Sequence, residues 1–145
     1  MMLVMNNKEL TRRWFEEVWN KRRVAAIEEL SHPSAVVFGL ADGGKPMGID
    51  HFLPFYTRFT ETFPDIRIIV DEVLEEGDKT VARLHAVGTH TGGAMGVPPT
   101  GRRVNISGII ITRWKDGKII EAWNEFDAWG MMQQISGPVA MKVKQ

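Results

Sequence analysis

The 145-residue chain has no cysteine, a single tyrosine and no net charge, its 18 lysines and arginines balancing 18 aspartates and glutamates. Without cysteine there is no disulfide, no thiolate nucleophile and no thiol ligand for a metal, and the fold does not need an oxidising compartment. Without a basic excess, the electrostatic footprint that draws a protein to nucleic acid or to an anionic membrane is missing. No stretch approaches the roughly 20 apolar residues of a membrane span. The opening MMLVMNNKEL has no basic leader region, no apolar run of adequate length and no A-x-A site. A cytoplasmic protein with no nucleic-acid or membrane partner is expected. H-E-x-x-H, Walker A, G-x-S-x-G and Rossmann motifs are also absent, and four scattered histidines make no metal site, so neither metal nor cofactor is expected.

What is present is ordinary globular composition, 43% hydrophobic and 25% charged, in a length that fits one domain over residues 1–145. NNKELTRRWFEEVWNKRR begins with cap-favouring asparagines and carries Leu10, Trp14 and Val18 with Phe15 and Trp19, an amphipathic helix. VAAIEELSHP predicts a second helix stopped near Pro33, and SAVVFGLADGGKPMG a short strand and a turn. GIDHFLPFYTRFTETFP carries a helical stripe of Phe52, Phe55, Tyr56, Phe59 and Phe63, with Pro54 near the first turn. After Pro64 the pattern becomes β-branched and alternating, with EGDK and Asp116-Gly117 as hairpin turns. DAWGMMQQI predicts a short C-terminal helix, and residues 136–145 a flexible tail. Helices first and long antiparallel strands after them give an α+β domain with the helices on one face of a curved sheet.

Three stretches make the chain recognisable: GTHTGGAMGVPPTGRRV, the strand pair GIIITRWKDGKIIEAWNEFD and the following GMMQQI. With them the sequence resembles the SnoaL-like polyketide cyclase (ester cyclase-like) family of the nuclear-transport-factor-2-like, ketosteroid-isomerase-like superfamily. The resemblance implies a cone: a strongly bent antiparallel sheet packed against N-terminal helices around a pocket for a small hydrophobic molecule, and commonly a homodimer paired through the outer sheet face. It also implies that the loop of residues 88–103 crosses the mouth of the cone as a rim; the other reading is a long hairpin connection.

The family's aspartate, acid and base in an intramolecular aldol closure, aligns with Asn124, and a histidine of one member aligns with Ile110. Asparagine cannot exchange a proton near neutral pH but can donate to a carbonyl or enolate oxygen. Alternation places Ile120, Ala122 and Asn124 on one strand face and Glu121, Trp123 and Glu125 on the other, so Asn124 reads as one polar group in an apolar wall. Asp127 is either the missing base or the N-cap of the last helix. His90 shares parity with Leu84 and Ala86, facing the pocket near the rim or bonding to backbone at the loop edge. His85 falls on the other face, and His32 and His51 lie at a helix end and a helix start. Trp19 matches a cavity-facing aromatic of the family, and of the remaining aromatics, including Phe55 and Tyr56, two or three are expected in the wall. Outward Ile109, Ile111, Arg113 and Trp123 form the face expected to pair with a second copy.

Overall fold

Asn6 opens the first helix by accepting the Glu9 N–H at 2.8 Å on its side chain while donating to the Glu9 carboxylate at 2.9 Å. That reciprocal cap uses donors the helix start would otherwise leave unpaired. In the computed structural model, which describes residues 5–136, α1 covers Asn7–Trp14. The sequence stripe predicts an unbroken α-helix beyond this point, but Phe15–Asn20 is a π-helical turn. Its wider winding buries Phe15, Val18 and Trp19 together. It also presents the Asn20 amide to β3, where it accepts from Ile68 N–H at 2.7 Å and donates to Ile68 O at 2.9 Å. A side chain thereby imitates a neighbouring strand on the sheet's edge.

The short α2, Ala25–Glu29, is tied back to the π-turn by Arg23, which reaches Glu17 at 2.8 Å and Glu29 at 3.0 Å. The helix expected to run towards Pro33 ends early, and β1 spans Ser31–Phe38 with Pro33 inside it. The proline falls where the register shifts between Ser31 and Val36, an irregularity that spares the ladder the N–H proline lacks. A 3-10 turn, Asp42–Gly44, leads to the two-residue β2, Met47–Gly48, and to α3, Ile49–Thr62. Pro54 sits in the second turn of α3 rather than the first, forgoing one bond to the exposed Asp50.

The strands β3 (Arg67–Glu76), β4 (Lys79–Thr89), β5 (Arg103–Lys115) and β6 (Lys118–Phe126) form an antiparallel meander, followed by α4, Ala128–Ser136. Asp116 and Gly117 both have positive φ, the geometry of a tight hairpin. The sheet order is β2-β1-β6-β5-β4-β3. Contrary to the all-antiparallel expectation, β1 runs parallel to β6, because α2 and the π-turn deliver β1 to the same end of the sheet at which β6 begins. Register shifts at Val70/Glu72 and Arg113/Trp114 bend the sheet. The second displaces the expected inner set of β6: Ile119 pairs with Trp114 and is buried, and Ile120 takes the extra position. The tail expected over 136–145 lies, beyond Ser136, outside the described residues. Among those residues no helix is long and apolar enough to cross a membrane.

Gly39, where β1 leaves the sheet, has φ +90°, and a Cβ there would lie 1.9 Å from the Asn124 carbonyl oxygen. Gly39→Ala should therefore destabilise the protein by more than about 2 kcal/mol in urea unfolding, through both backbone strain and the collision. A loss below about 0.5 kcal/mol would contradict this close approach.

Candidate functional site

The inner sheet face carries small residues at its centre. Ala82, Ala86, Gly108 and Ala122 are buried there, opposite the large rings of Trp19, Phe52 and Phe59. Trp19 meets Phe52, Tyr56 and Phe59 edge-on at centroid distances of 6.2, 5.0 and 5.8 Å, so the rings brace one another and do not fall into the space below. A cavity of about 110 Å³ remains between the helices and the sheet. That is close to the roughly 150 Å³ known to hold a benzene ring. Its wall takes Trp14, Phe15, Trp19, Phe52, Phe55 and Phe59 from the helices and Ile68, Leu84, Ile106, Ile110 and Ile119 from the strands. Leu40 and Phe55 also line a surface groove between the segment before α3 and that helix, and Leu84, Ser107, Glu125 and Phe126 also line a groove on the outer sheet surface.

Five of the residues expected at the site share this cavity: Trp19, Phe55, Ile110, Ala122 and Asn124. Five of the other helical aromatics line it (Trp14, Phe15, Phe52, Phe55 and Phe59), against the two or three expected, because α1, the π-turn and α3 all direct rings inward, and Phe126 joins them from β6. Asn124 is opposite Ile110 in the β5/β6 ladder, and its Nδ2 donates to Phe38 O at 3.0 Å. The amide is thus pinned by one hydrogen where β1 turns away, with its second hydrogen and its oxygen not committed to that bond.

Three expected site residues lie elsewhere. Tyr56 points away from the space, its hydroxyl donating to Val18 O at 2.8 Å, and burial raises the phenol above its ordinary pKa. Asp127 caps α4 by accepting the Gly130 N–H at 2.8 Å, and it lines a groove on the outer sheet surface instead. His90 is fully buried but is not part of the wall. Its Nδ1 accepts from Thr100 N–H at 3.3 Å and lies 3.0 Å from the Thr100 hydroxyl, while its backbone bonds Arg102 O and Gly101 N–H, each at 2.8 Å. Of the other histidines, His85 lies on the outer face, 2.8 Å from Asp71; His32 falls in β1 instead of at a helix end; and His51 is in the first turn of α3.

The loop expected as a rim does not line the cavity. It folds onto the end of α3, where Gly92 N–H donates to Thr62 O at 3.1 Å and Met95 and Val97 pack on the core. A Cβ at Gly92 would lie 1.8 Å from Glu61 O, so that glycine permits the docking. His90 and Thr100 then staple the two ends of the loop together.

Sequence reasoning missed two buried hydroxyls of the wall, besides the exposed Ser107. Ser31 and Thr112 are 4% and 5% exposed and line the cavity. The Ser31 Oγ is buried with no hydrogen-bond partner, a situation that costs about 1–3 kcal/mol. Neighbouring hydroxyls are satisfied: Thr80 Oγ1 accepts from Trp114 Nε1 at 3.1 Å and shares a bond with Thr11 at 2.7 Å. Ser31 was not legible because the SHP stretch reads as the end of a helix. Glu125 is the one ionisable residue in the wall; its side chain is exposed and alternates with Asn124 to the outer face.

A bent sheet closed by N-terminal helices over such a cavity defines the nuclear-transport-factor-2-like class of fold. A family model described as SnoaL-like polyketide cyclase matches residues 9–135, and the chain belongs to that family. Nogalonic acid methyl ester cyclase of Streptomyces nogalater is 27% identical over 121 residues, covering 83% of this chain and 90% of the relative. The crystal structure of IdmH, a candidate polyketide cyclase of Streptomyces antibioticus, is 28% identical with a TM-score of 0.82, covering 92% of this chain and all of IdmH (100%). A candidate SnoaL-like polyketide cyclase from Jannaschia sp. CCS1 is 25% identical with a TM-score of 0.82, covering 94% of this chain and 99% of that one.

The segment entering β3 is fastened to β4 just before the loop by Asp65, whose carboxylate accepts the Thr89 N–H and hydroxyl, each at 2.7 Å. Burial pushes the carboxyl up, but these bonds, aided by Arg103, hold it below its ordinary pKa. A carboxyl depressed in the folded state stabilises above its unfolded pKa of about 3.9, and the gain is lost as pH falls through the folded value. Asp65→Asn should be less stable than the parent at pH 7, with the difference shrinking steadily below about pH 4. Equal urea midpoints of the two proteins at pH 7 would refute it.

Proposed function

We propose that the protein binds a small, neutral, ring-bearing carbonyl compound in the cavity and acts on it by orientation and hydrogen bonding through Asn124. The observation that carries this reading is a fixed amide on an otherwise mostly apolar wall that also carries rings braced edge-on. The second amide hydrogen can donate to a ligand oxygen, and in a mostly apolar cavity such a bond favours an enolate over its keto form. Orientation of a folded chain around the rings supplies the other part of a cyclase-like reaction, the aldol closure of the family. Enolisation also needs a base, and the described wall turns no ionisable side chain inward, so any proton leaves to water or to a group of the ligand itself. That same feature supports a second reading, a carrier that holds the compound without turning it over.

Purified protein should gain thermal stability with aromatic ketones or esters, and Asn124→Ala should reduce that gain by at least half while leaving the unliganded protein folded. Equal shifts in both would sink the role of Asn124. Asn124→Asp separates the two readings. Its carboxyl would face the Phe38 carbonyl in an apolar wall, so desolvation and lone-pair repulsion raise its pKa. A carboxyl raised in the folded state loses stability as pH climbs above about 3.9, so this variant weakens towards neutrality, and a base's activity appears only as pH rises through the raised pKa. Cyclisation by the variant alone supports the carrier reading, and cyclisation by the parent supports the enzyme.

We propose further that the outer sheet face pairs with a second copy. Ile109 and Ile111 are 47% and 36% exposed there, beside Trp123 stacked on Phe38 at 5.9 Å and an Arg113–Glu121 ion pair that neutralises the flank. Sedimentation equilibrium at micromolar concentration should return twice the chain mass, and a monomer would exclude the pairing.

A further inference from the structure

Ser31 is a buried hydroxyl in the cavity wall without a hydrogen-bond partner, whereas the buried Thr80 and Thr11 outside the wall are bonded to each other. It lines the cavity at the end away from Asn124: Ser31 pairs with Ile119 at the start of β6, and Asn124 lies five residues further along that strand. At the rise of an extended strand the two positions are roughly 15 Å apart between backbones. Both side chains reach inward, so the distance left for a ligand's own oxygens is that across one substituted ring. Thr112, also buried and also in the wall, stands on β5 on the far side of β6 from Ser31, with the short Ala122 as its ladder partner. Ala122 leaves the floor between the hydroxyls open.

From this arrangement we infer that Ser31, seconded by Thr112, is a specificity-determining subsite for a neutral hydroxyl on the ligand, placed across the ring from the carbonyl held by Asn124. The inference rests on the cavity being the ligand site. No charged side chain of the described residues faces inward near Ser31, so the subsite selects an uncharged oxygen over a carboxylate or an amine. Serine both donates and accepts, which matches a hydroxyl, itself a donor and an acceptor. A site that leaves its own polar group unpaired when the ligand lacks a matching one discriminates strongly against that ligand. The ligand class is therefore an aryl ketone or ester with a distal hydroxyl.

The test uses 4-hydroxyacetophenone and 4-methylacetophenone, which differ by a hydroxyl in place of a methyl, titrated by NMR into the parent, Ser31→Ala and Asn124→Ala. The parent should bind the hydroxy compound about tenfold more tightly, and Ser31→Ala should bring the two within about twofold while unfolding no earlier than the parent. Asn124→Ala should weaken both compounds alike and keep their ratio. A parent without preference, or a preference that survives Ser31→Ala, overturns the subsite and leaves the cavity reading intact. Failure of the parent to bind either compound removes the cavity reading and this inference with it. Thr112→Val serves as the second variant, expected to reduce the ratio only partly.

Discussion

The rest of the structure depends on a mismatch of size across one interface. Large rings from the π-turn and α3 stand on an inner sheet face whose central positions are alanine and glycine, and the rings hold one another by edge contacts. A core normally closes such a gap, since an empty volume of about 110 Å³ costs on the order of 2–3 kcal/mol. Here it stays open because Trp19 is fixed from several sides and the sheet is bent away by its register shifts. The cavity is a consequence of how the two layers are built.

Holding that space open requires both layers to be fastened at their edges. The Asn20 amide completes the edge of β3, and the Arg22 guanidinium bonds Pro64 O at 2.9 Å and Ile66 O at 3.1 Å, so the end of α1's π-turn cannot slide over the sheet. Arg13, Glu17, Arg23 and Glu29 join α1 to α2 from outside; the paired guanidiniums lower both carboxyls, and Glu29 and Glu17 raise Arg23. At the opposite end Asn124 holds Phe38 while Gly39 passes over it, so the side chain that marks the candidate site is also one that anchors β1. Such double use fits a wall group whose rotamer has to be fixed before a ligand arrives.

Much of this was legible in the sequence. The aromatic stripe of α3, the two hairpin turns, the alternating strands and the family motifs lead to the bent sheet and its helical cover without coordinates. Within the candidate site, Asn124 and Ile110 followed from the family alignment, with strand parity supporting Asn124 and adding Ala122, and Trp19 from its match to the family's cavity-facing aromatic. The failures have physical causes. Ile120 was misplaced because a bulge shifts parity by one, and β1 because a proline accommodated at an irregularity looks the same in sequence as one that ends a helix. Tyr56 and His90 share the periodicity of cavity residues, but each finds a backbone or hydroxyl partner nearby and turns to it.

The sequence by itself determined which residues are apolar, in what period, and that a single amide interrupts the inner face of the last strand. Those properties follow from local chemistry and from alternation, which need no knowledge of distant segments. Only the tertiary structure decided that β1 would run parallel to β6, that the loop of glycines and prolines would dock on α3 without lining the cavity, and that Ser31 would be buried without a partner. Each of those depends on what another segment brings to the same place, and a polar group's partner is a property of the fold rather than of its own stretch of chain.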